Sequence, residues 1–236
     1  MAPERGDADG TPTKPASSWK LALELGDALP RTDDVANPSA LALVAEIRAL
    51  MDAAVVTDVP AAERAGIAAE IAALSARLRA STRPDGPLLT RRADGMLQHL
   101  TNAGSGRLNP HAPLVEFIDL PAAPPVGTEP FSMEVHARCT FTEAHAGSPA
   151  RVHGGPVMSV LDEALGMAVT VAGASGMTVE ITTTLRAGVP IGVPVDLHAR
   201  FTHREGRKAW ATGELLVDGS VAAAATALYI AERSDS

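Results

Sequence analysis

The fold of this chain is decided by one stretch, VHGGPVMSVLDEALGMAVTV at residues 152–171. The two glycines and Pro156 are typical of a helix N-terminus whose backbone N–H groups a ligand can approach closely. The apolar side chains that follow fall on every side of the helix, which is the pattern of a segment buried all round. The stretch therefore predicts a central core helix that begins near the glycines.

Two acids, Asp162 and Glu163, interrupt this apolar helix. A buried carboxylate without a partner is costly or shifts its pKa, so these acids need partners or a chemical role. We expect Asp162 to be functional rather than a helix acid that reaches solvent at a sheet edge. Glu163 points about 100° away on the helix, and we expect it to be a structural or dimer-interface partner.

The composition is that of a chain that can bury a full core. Of its 236 residues, 46% are hydrophobic and 20% are charged, and the formal net charge is −8. This charge argues against nucleic acid as the main partner, because phosphate binding needs a clustered positive surface. The single Cys139 and seven scattered histidines offer no recognisable metal spacing, so no metal is expected. The polar start and short apolar runs predict a cytoplasmic protein without a membrane span.

The pattern divides the chain into three parts. Residues 1–17 are rich in Gly, Pro and polar residues and are expected to form a disordered tail. Residues 18–105 are expected to form a helical extension, with apolar residues at helical spacing over 38–56 and 60–80. The short break between these two segments favours an antiparallel helical hairpin whose apolar stripes face each other or the main domain. Residues 106–236 are expected to form that main domain.

The main domain combines strands with the buried helix. Before the helix, alternating side chains predict strands at 114–120 and 131–140. After the helix, turn residues separate a predicted meander of four strands at 177–186, 193–202, 208–217 and 220–231. One buried helix between early strands and a late meander suggests an α+β fold, in which a curved antiparallel sheet wraps around the helix.

These features together resemble the hotdog-fold acyl-CoA thioesterases of the PaaI-like family, whose central helix opens on His-Gly-Gly and carries an acid nine residues after the histidine, here Asp162. The matching segments, within about 107 to 232, are Asn109-Pro110, Val152-His153-Gly154-Gly155, Leu161-Asp162-Glu163-Ala164, Met177-Thr178 and Gly206-Arg207-Lys208. The resemblance implies a hydrolase of acyl-CoA that needs no metal or redox cofactor. It also implies that Thr178 lies near the acid, although an ordinary β-branched strand residue is equally expected there.

Thioester hydrolysis needs a polarised carbonyl and an activated water or a nucleophile. The N–H of Gly154, helped by Gly155 and the positive end of the helix dipole, is expected to stabilise the developing oxyanion. Asp162 is expected to act as a general base or as a nucleophile, and we favour the base. For His153, just before the helix, an anchoring hydrogen bond is favoured over proton transfer.

One chain cannot bring Gly154 and Asp162 to the same carbonyl. The eight residues between them correspond to about 12 Å of helix rise. We therefore expect a two-fold homodimer with neighbouring central helices, in which Gly154 of one subunit and Asp162 of the other share a site. The resemblance implies the same shared site, and whether two dimers join into a homotetramer stays open.

The densest positive cluster surrounds the turn at 205–206 and consists of Arg200, Arg204, Arg207 and Lys208. It is a candidate binding site for the phosphates of CoA, although a solvated hairpin tip is the favoured account. The 3% aromatic content favours an aliphatic acyl group over an aryl group.

Two alternative functions share the same fold. A hotdog protein can bind or sense acyl-CoA without cleaving it, and Gly147 keeps this alternative open. It occupies the position, six residues before the histidine, where members of the family often place an Asn or Gln donor. A hydratase or dehydratase is less favoured, because the Asp and His arrangement that it needs is not found.

Overall fold

The computed structural model describes residues 28–83, 88–121 and 132–231. The tail predicted at residues 1–17 lies outside the described residues, as does Phe131 at the start of a predicted strand. Within the described ranges, no helix is both long and apolar enough to cross a lipid bilayer.

The helices follow the sequence predictions closely. They are α1 (Thr32–Val35), α2 (Pro38–Val56), α3 (Ala61–Arg79), a 3₁₀ turn (Glu143–His145) and α4 (Gly154–Val171). The side chain of Asn37 caps α2 by accepting a hydrogen bond from the N–H of Ala40, and Pro38 occupies the first turn. α4 starts at the two glycines, as the sequence predicts.

All six predicted strands are present, together with two short hairpins. The strands before α4 are β1 (Leu89–Arg91), β2 (Leu97–His99), β3 (Leu114–Ile118), β4 (Glu134–Thr140), β5 (Ala146–Ser148) and β6 (Arg151–Val152). The strands after α4 are β7 (Met177–Leu185), β8 (Val195–Glu205), β9 (Lys208–Val217) and β10 (Ser220–Ile230). β1 pairs with β2, and β5 pairs with β6.

Six strands form the main antiparallel sheet in the order β3-β4-β8-β9-β10-β7. The predicted four-strand meander is wrong in one connection, because β7 pairs with β10 and not with β8. The connection at 186–194 contains Pro190 and Pro194 and is too long and irregular for a tight hairpin. It starts against β10, where the N–H of Arg186 donates to the carbonyl oxygen of Ala222 at 2.8 Å. β7 consequently becomes an edge of the sheet.

The core lies between α4 and the inner face of the sheet, where α4 contacts β4 and β7 to β10. The buried residues of α4 are Val157, Val160, Leu161, Ala164, Leu165, Ala168, Val169 and Val171. Strand residues that alternate along β4, such as Val135 and Cys139, complete this core. Burial raises the pKa of the Cys139 thiol to about 12, which makes it a packing residue rather than a nucleophile. The predicted α+β fold, a sheet around a central helix, is confirmed.

α2 is the part of the helical extension that is attached to the main domain. Its Asp52 accepts a hydrogen bond from the N–H of Ala144 in the 3₁₀ turn at 3.0 Å. Its Arg48 donates to the carbonyl oxygens of Asn109 and Ala112 at 3.3 and 3.4 Å. α2 is thereby held beside the segment that leads into α4.

In contrast to α2, α3 buries none of its residues. Leu74, in the middle of its apolar stripe, is 51% exposed. The prediction that both stripes face each other or the main domain is therefore wrong for α3. Most of the apolar side chains in this helix are alanines, which bury little area against any neighbour.

The last part of the extension is not helical. The β1–β2 hairpin and the turn after it pack on the main domain, where Met96 joins the core and Leu100 is fully buried. Residues 88–105, predicted within a helical extension, thus form an integral layer of the fold.

Candidate active site

His153 caps the N-terminus of α4 and anchors the loop that precedes it. Its Nδ1 accepts a hydrogen bond from the N–H of Gly155 at 3.0 Å, and its own N–H donates to the carbonyl oxygen of His145 at 2.9 Å. A ring nitrogen that accepts carries no proton, so this contact suits an anchor rather than a proton carrier.

The first turn of α4 offers a backbone donor at Gly154. Because the N–H of Gly155 is bound to the His153 ring, Gly155 does not add the second donor that the sequence analysis expected. The first N–H of a helix has no acceptor within the helix, which leaves the Gly154 N–H available. A Cβ at Gly154 would lie 2.8 Å from Cδ1 of Leu185 on β7, so the turn is packed tightly against that strand.

Position 147 has no room for a side chain, because the β5–β6 hairpin lies against His153. A Cβ at Gly147 would lie 2.6 Å from Cα and 2.9 Å from N of His153. The Asn or Gln donor that the family often places here therefore has no room in this chain.

Asp162 lies partly buried at the middle of α4 and is held by two hydroxyl groups. Thr178 on β7 donates to Oδ1 at 2.9 Å. Tyr229 on β10 lies 3.3 Å from the same oxygen and 3.2 Å from the backbone oxygen of Asp162. Thr178 and Tyr229 are direct partners across the two strands. Among the described residues, none donates to Oδ2, which stays available to accept a proton.

Tyr229 is the functional candidate that the sequence analysis missed. Burial, first, and the neighbouring Asp162 raise the pKa of its phenol, so the hydroxyl remains a donor. Its sequence signal is weak: it is the only tyrosine of the chain, placed in an alanine-rich strand. Thr178, in contrast, is found beside the acid, as the resemblance implies.

Glu163 points away from Asp162 toward the N-terminal extension. Its Oε2 accepts a hydrogen bond from the hydroxyl of Ser105 at 2.7 Å. Burial raises the pKa of the Glu163 carboxyl, while Ser105 and Asn102 oppose that shift. Glu163 therefore has a structural partner in its own chain, as the sequence analysis favoured.

An open groove of about 1380 Å³ runs past Asp162. Asp162, Gly166 and Thr170, one helical turn apart, form part of its floor. The other lining residues come from α1, α2, the β1–β2 hairpin, the turn at 102–107, the segment 113–117, β4, α4, the segment 176–178, Pro194 and β10. The acid thus faces a space large enough for an extended ligand.

The predicted phosphate cluster does not line this groove. Arg200, Arg204, Arg207 and Lys208 lie exposed on β8, the hairpin tip and β9. Arg204 and Arg207 donate to the carbonyl oxygens of Gly206 and Ala231 at 2.7 and 2.8 Å. A role of the cluster in CoA binding stays a prediction.

The described residues contain no group of three or more His, Cys, Asp or Glu side chains arranged to hold a metal ion. Within one chain, Gly154 and Asp162 remain separated along α4, so the structure does not bring them together.

Comparison with known proteins supports the thioesterase fold. Residues 150–221 match the model of the thioesterase superfamily. A solved thioesterase superfamily protein has a TM-score of 0.67 and 22% identity, with 85% of this chain and 93% of that chain covered. No curated protein has a matching sequence.

Two further solved structures are similar over about half of this chain. The PaaI protein of the phenylacetic acid degradation operon of E. coli has a TM-score of 0.42 and 14% identity, covering 49% of this chain and 82% of that chain. A hypothetical thioesterase with coenzyme A from Streptococcus pneumoniae TIGR4 also has a TM-score of 0.42 and 14% identity, covering 51% and 91%. The superfamily match over residues 150–221 and the fold shared with the first of these solved structures, the thioesterase superfamily protein, agree with the thioesterase resemblance seen in the sequence.

Proposed function

We propose that this protein hydrolyses an acyl-CoA thioester with Asp162 as general base. The observation that carries the proposal is the carboxylate of Asp162, fixed through Oδ1 by Thr178 and Tyr229 and facing a large groove. A base needs a fixed orientation and a free oxygen, and both are met here. A nucleophilic role of the same carboxylate is the alternative step, through a transient mixed anhydride.

The proposed reaction uses only side chains and backbone groups of this protein. Oδ2 of Asp162 takes a proton from a water molecule, whose oxygen attacks the thioester carbonyl. The N–H of Gly154 at the positive end of α4 stabilises the oxyanion that forms. When the C–S bond breaks, the proton returns to the sulfur, and free CoA and a carboxylic acid are released.

The proposal requires a homodimer, and the geometry of β7 favours one. β7 is a sheet edge that exposes Met177, Val179 and Leu185, and such an edge readily pairs with another strand. If two copies of β7 pair antiparallel about an axis at Thr182, and each keeps its bulge at Val179, Thr178 of one lies opposite Leu185 of the other. Asp162 packs on Thr178 and Gly154 on Leu185, so this pairing brings Asp162 to the partner's Gly154.

α4 supports the same axis. Met158 lies midway between Gly154 and Asp162 and is 38% exposed, although most of the helix around it is buried. An exposed methionine at the point where two antiparallel helices would cross is suited to such a contact.

A second candidate function follows from Gly147. Because no side-chain donor fits there, the oxyanion would rest on one backbone N–H, and a protein that binds acyl-CoA without cleaving it would need no more. The two functions differ in turnover alone.

Release of free thiol from a panel of acyl-CoA substrates decides between them. We expect turnover by the wild type and a loss of about 10² to 10⁴ in kcat for Asp162→Asn, the usual contribution of a positioned base. Asp218→Asn, at the β9–β10 turn where φ is 50°, is the matched control, because asparagine tolerates this conformation. Binding without turnover in the wild type contradicts the thioesterase proposal.

Mixed dimers test the shared site. Gly154→Pro removes the proposed donor, and His153 already has the extended backbone that precedes proline. If both this variant and Asp162→Asn are inactive alone, their mixture should recover up to a quarter to a half of wild-type activity, about the share of sites with both groups intact. No recovery in mixed dimers rules out a site built from two subunits.

A further inference from the structure

The end of the N-terminal extension is fastened to α4 beside the proposed catalytic acid. The hydroxyl of Ser105 donates to Oε2 of Glu163 at 2.7 Å. The backbone of Gly104 approaches so closely that a Cβ there would lie 2.9 Å from Cδ of Glu163. This contact joins an acid on the central helix to a segment outside the residues that match the thioesterase superfamily.

The segment 97–107, which we call the wall, is also held by hydrogen bonds at other points. The side chain of Asn102 accepts hydrogen bonds from the N–H groups of Gly104 and Ser105 at 2.5 and 3.3 Å. The N–H of Leu108 donates to the carbonyl oxygen of Leu100, which is fully buried. The wall is thus a defined surface and not a loose loop.

The wall forms one side of the groove past Asp162. The lining residues from the wall are Leu97, Gln98, His99, Asn102, Ser105, Gly106 and Arg107. Phe117 and Met167 line the groove as well and make much of it apolar. Gly166, one turn beyond Asp162, keeps the floor free of a side chain.

Three of the four arginines that line the groove already have partners among the described residues. Arg92 pairs with Asp94 at 2.9 Å, and Arg138 pairs with Asp196 at 3.2 Å. Arg48 binds two backbone carbonyls, which leaves the exposed Arg107. A single arginine is a poor match for the several phosphate charges of CoA. The groove therefore suits the acyl arm of a thioester better than its nucleotide arm.

We infer that the wall sets the length of acyl chain that the protein accepts, with Glu163 as the anchor of the wall. The inference rests on the proposed function, because it takes the thioester carbonyl to lie at Asp162. From that point the acyl arm runs along the groove between Leu97 and Met167. The wall thereby makes the N-terminal extension a determinant of specificity for the hotdog domain.

Binding of S-alkyl-CoA thioethers from butyl to hexadecyl tests this inference without requiring turnover. Wild-type affinity, measured by calorimetry, should rise about fourfold with each added methylene while the alkyl chain gains apolar contact. Above a certain alkyl length, which we call the break, the affinity should stop rising. Leu97→Ala should move the break to chains about two carbons longer, and Leu97→Phe should move it to shorter chains. Leu216→Ala, on a partly buried leucine of β9 that does not line the groove, should leave the break unchanged.

The anchor is tested in the same assay. Glu163→Ala and Ser105→Ala should loosen the wall and flatten the length dependence. Glu163→Gln should keep the break, because its amide oxygen can still accept the hydrogen bond from Ser105. Loss of the break in Glu163→Gln, or an unchanged break in Glu163→Ala, contradicts the anchor role.

Thiol release from the matching acyl-CoA series separates the two proposals. Length-dependent binding that responds to Leu97 in a protein without turnover supports the wall and contradicts the thioesterase function. Turnover with a break that neither folded Leu97 variant moves overturns the wall and leaves the thioesterase function standing. If no thioether binds, the inference about the wall fails, and thiol release alone decides the thioesterase function.

Discussion

α3 and α4 are helices of nearly equal length with opposite environments. α3 buries none of its residues, whereas eight residues of α4 are buried. Apolar periodicity predicts both helices correctly, but it does not tell which one has a partner surface. The difference lies in side-chain size, since α4 carries large apolar groups all round, whereas α3 carries only four large apolar groups among eight alanines.

The largest difference in stability between the two helices is expected when one leucine in each is replaced by alanine. Leu165→Ala in α4 should lower the free energy of unfolding by about 2 to 5 kcal/mol, because it leaves a cavity in a fully buried site. Leu74→Ala in α3 should change it by no more than about 0.5 kcal/mol. Urea unfolding of both variants measures these values. A large decrease in the free energy of unfolding for Leu74→Ala would contradict this difference between α3 and α4 and show that another surface covers α3 in solution.

The polar partners of α4 give a second contrast, since Asp162 is tied to the sheet. Tyr229→Phe and Thr178→Val each remove one hydroxyl beside its carboxylate, and we expect about a five- to tenfold loss in kcat. Thr178→Ser keeps the hydroxyl and should restore kcat. Loss of kcat in Thr178→Ser equal to that in Thr178→Val would mean that the hydroxyl is not what positions the carboxylate.

Each helix also contains one interior glycine, which permits a matched pair of substitutions. A Cβ at Gly166 would lie 3.7 Å from the Tyr229 hydroxyl, and a Cβ at Gly66 would meet nothing within 4 Å, so alanine fits at both. Gly166→Ala should raise the free energy of unfolding by about 0.5 to 1 kcal/mol. Gly66→Ala should raise helix content in circular dichroism without moving the unfolding midpoint, because α3 is not coupled to the core. A shift of that midpoint would contradict this view of α3.

α2 is attached to the main domain more than α3 is and less than α4 is. The stability of this attachment should depend on pH. It packs on the 3₁₀ turn, in which His145 is buried. Burial, first, lowers the pKa of His145 in the folded protein. The unfolded state therefore binds more protons just below the ordinary histidine pKa, about 6.5, and stability should fall as the pH drops through this region.

Melting temperatures between about pH 8 and pH 5 measure this effect. The slope should be smaller for His145→Gln, although the partly buried His99, whose pKa is also lowered by burial, leaves part of it. An identical slope in the variant would remove His145 from the explanation.

Much of the fold follows from the sequence, because it depends on local patterns. The glycines, Pro156 and the apolar run specify α4, and strand alternation specifies all six strands. The place of β7 was not predictable in this way, because strand order depends on contacts between distant segments. The exposure of α3 was missed for the same reason.

The same distinction between local patterns and contacts of distant segments applies to the candidate site. Asp162 was found because an acid inside an apolar helix is costly. Tyr229 and Ser105 were not, since they lie 67 and 58 residues from their partners and neither carries a motif. The engagement of the Gly155 N–H by His153 also depends on a rotamer that no spacing reveals.

The close approach of Gly147 to His153 has a consequence for natural variation in this protein. A main-chain amide is shared by every amino acid except proline, so ordinary point mutations leave the proposed oxyanion donor chemically intact. Changes that abolish the proposed activity without unfolding should therefore accumulate at the carboxylate and its two hydroxyl neighbours, while position 147 should tolerate no residue larger than glycine.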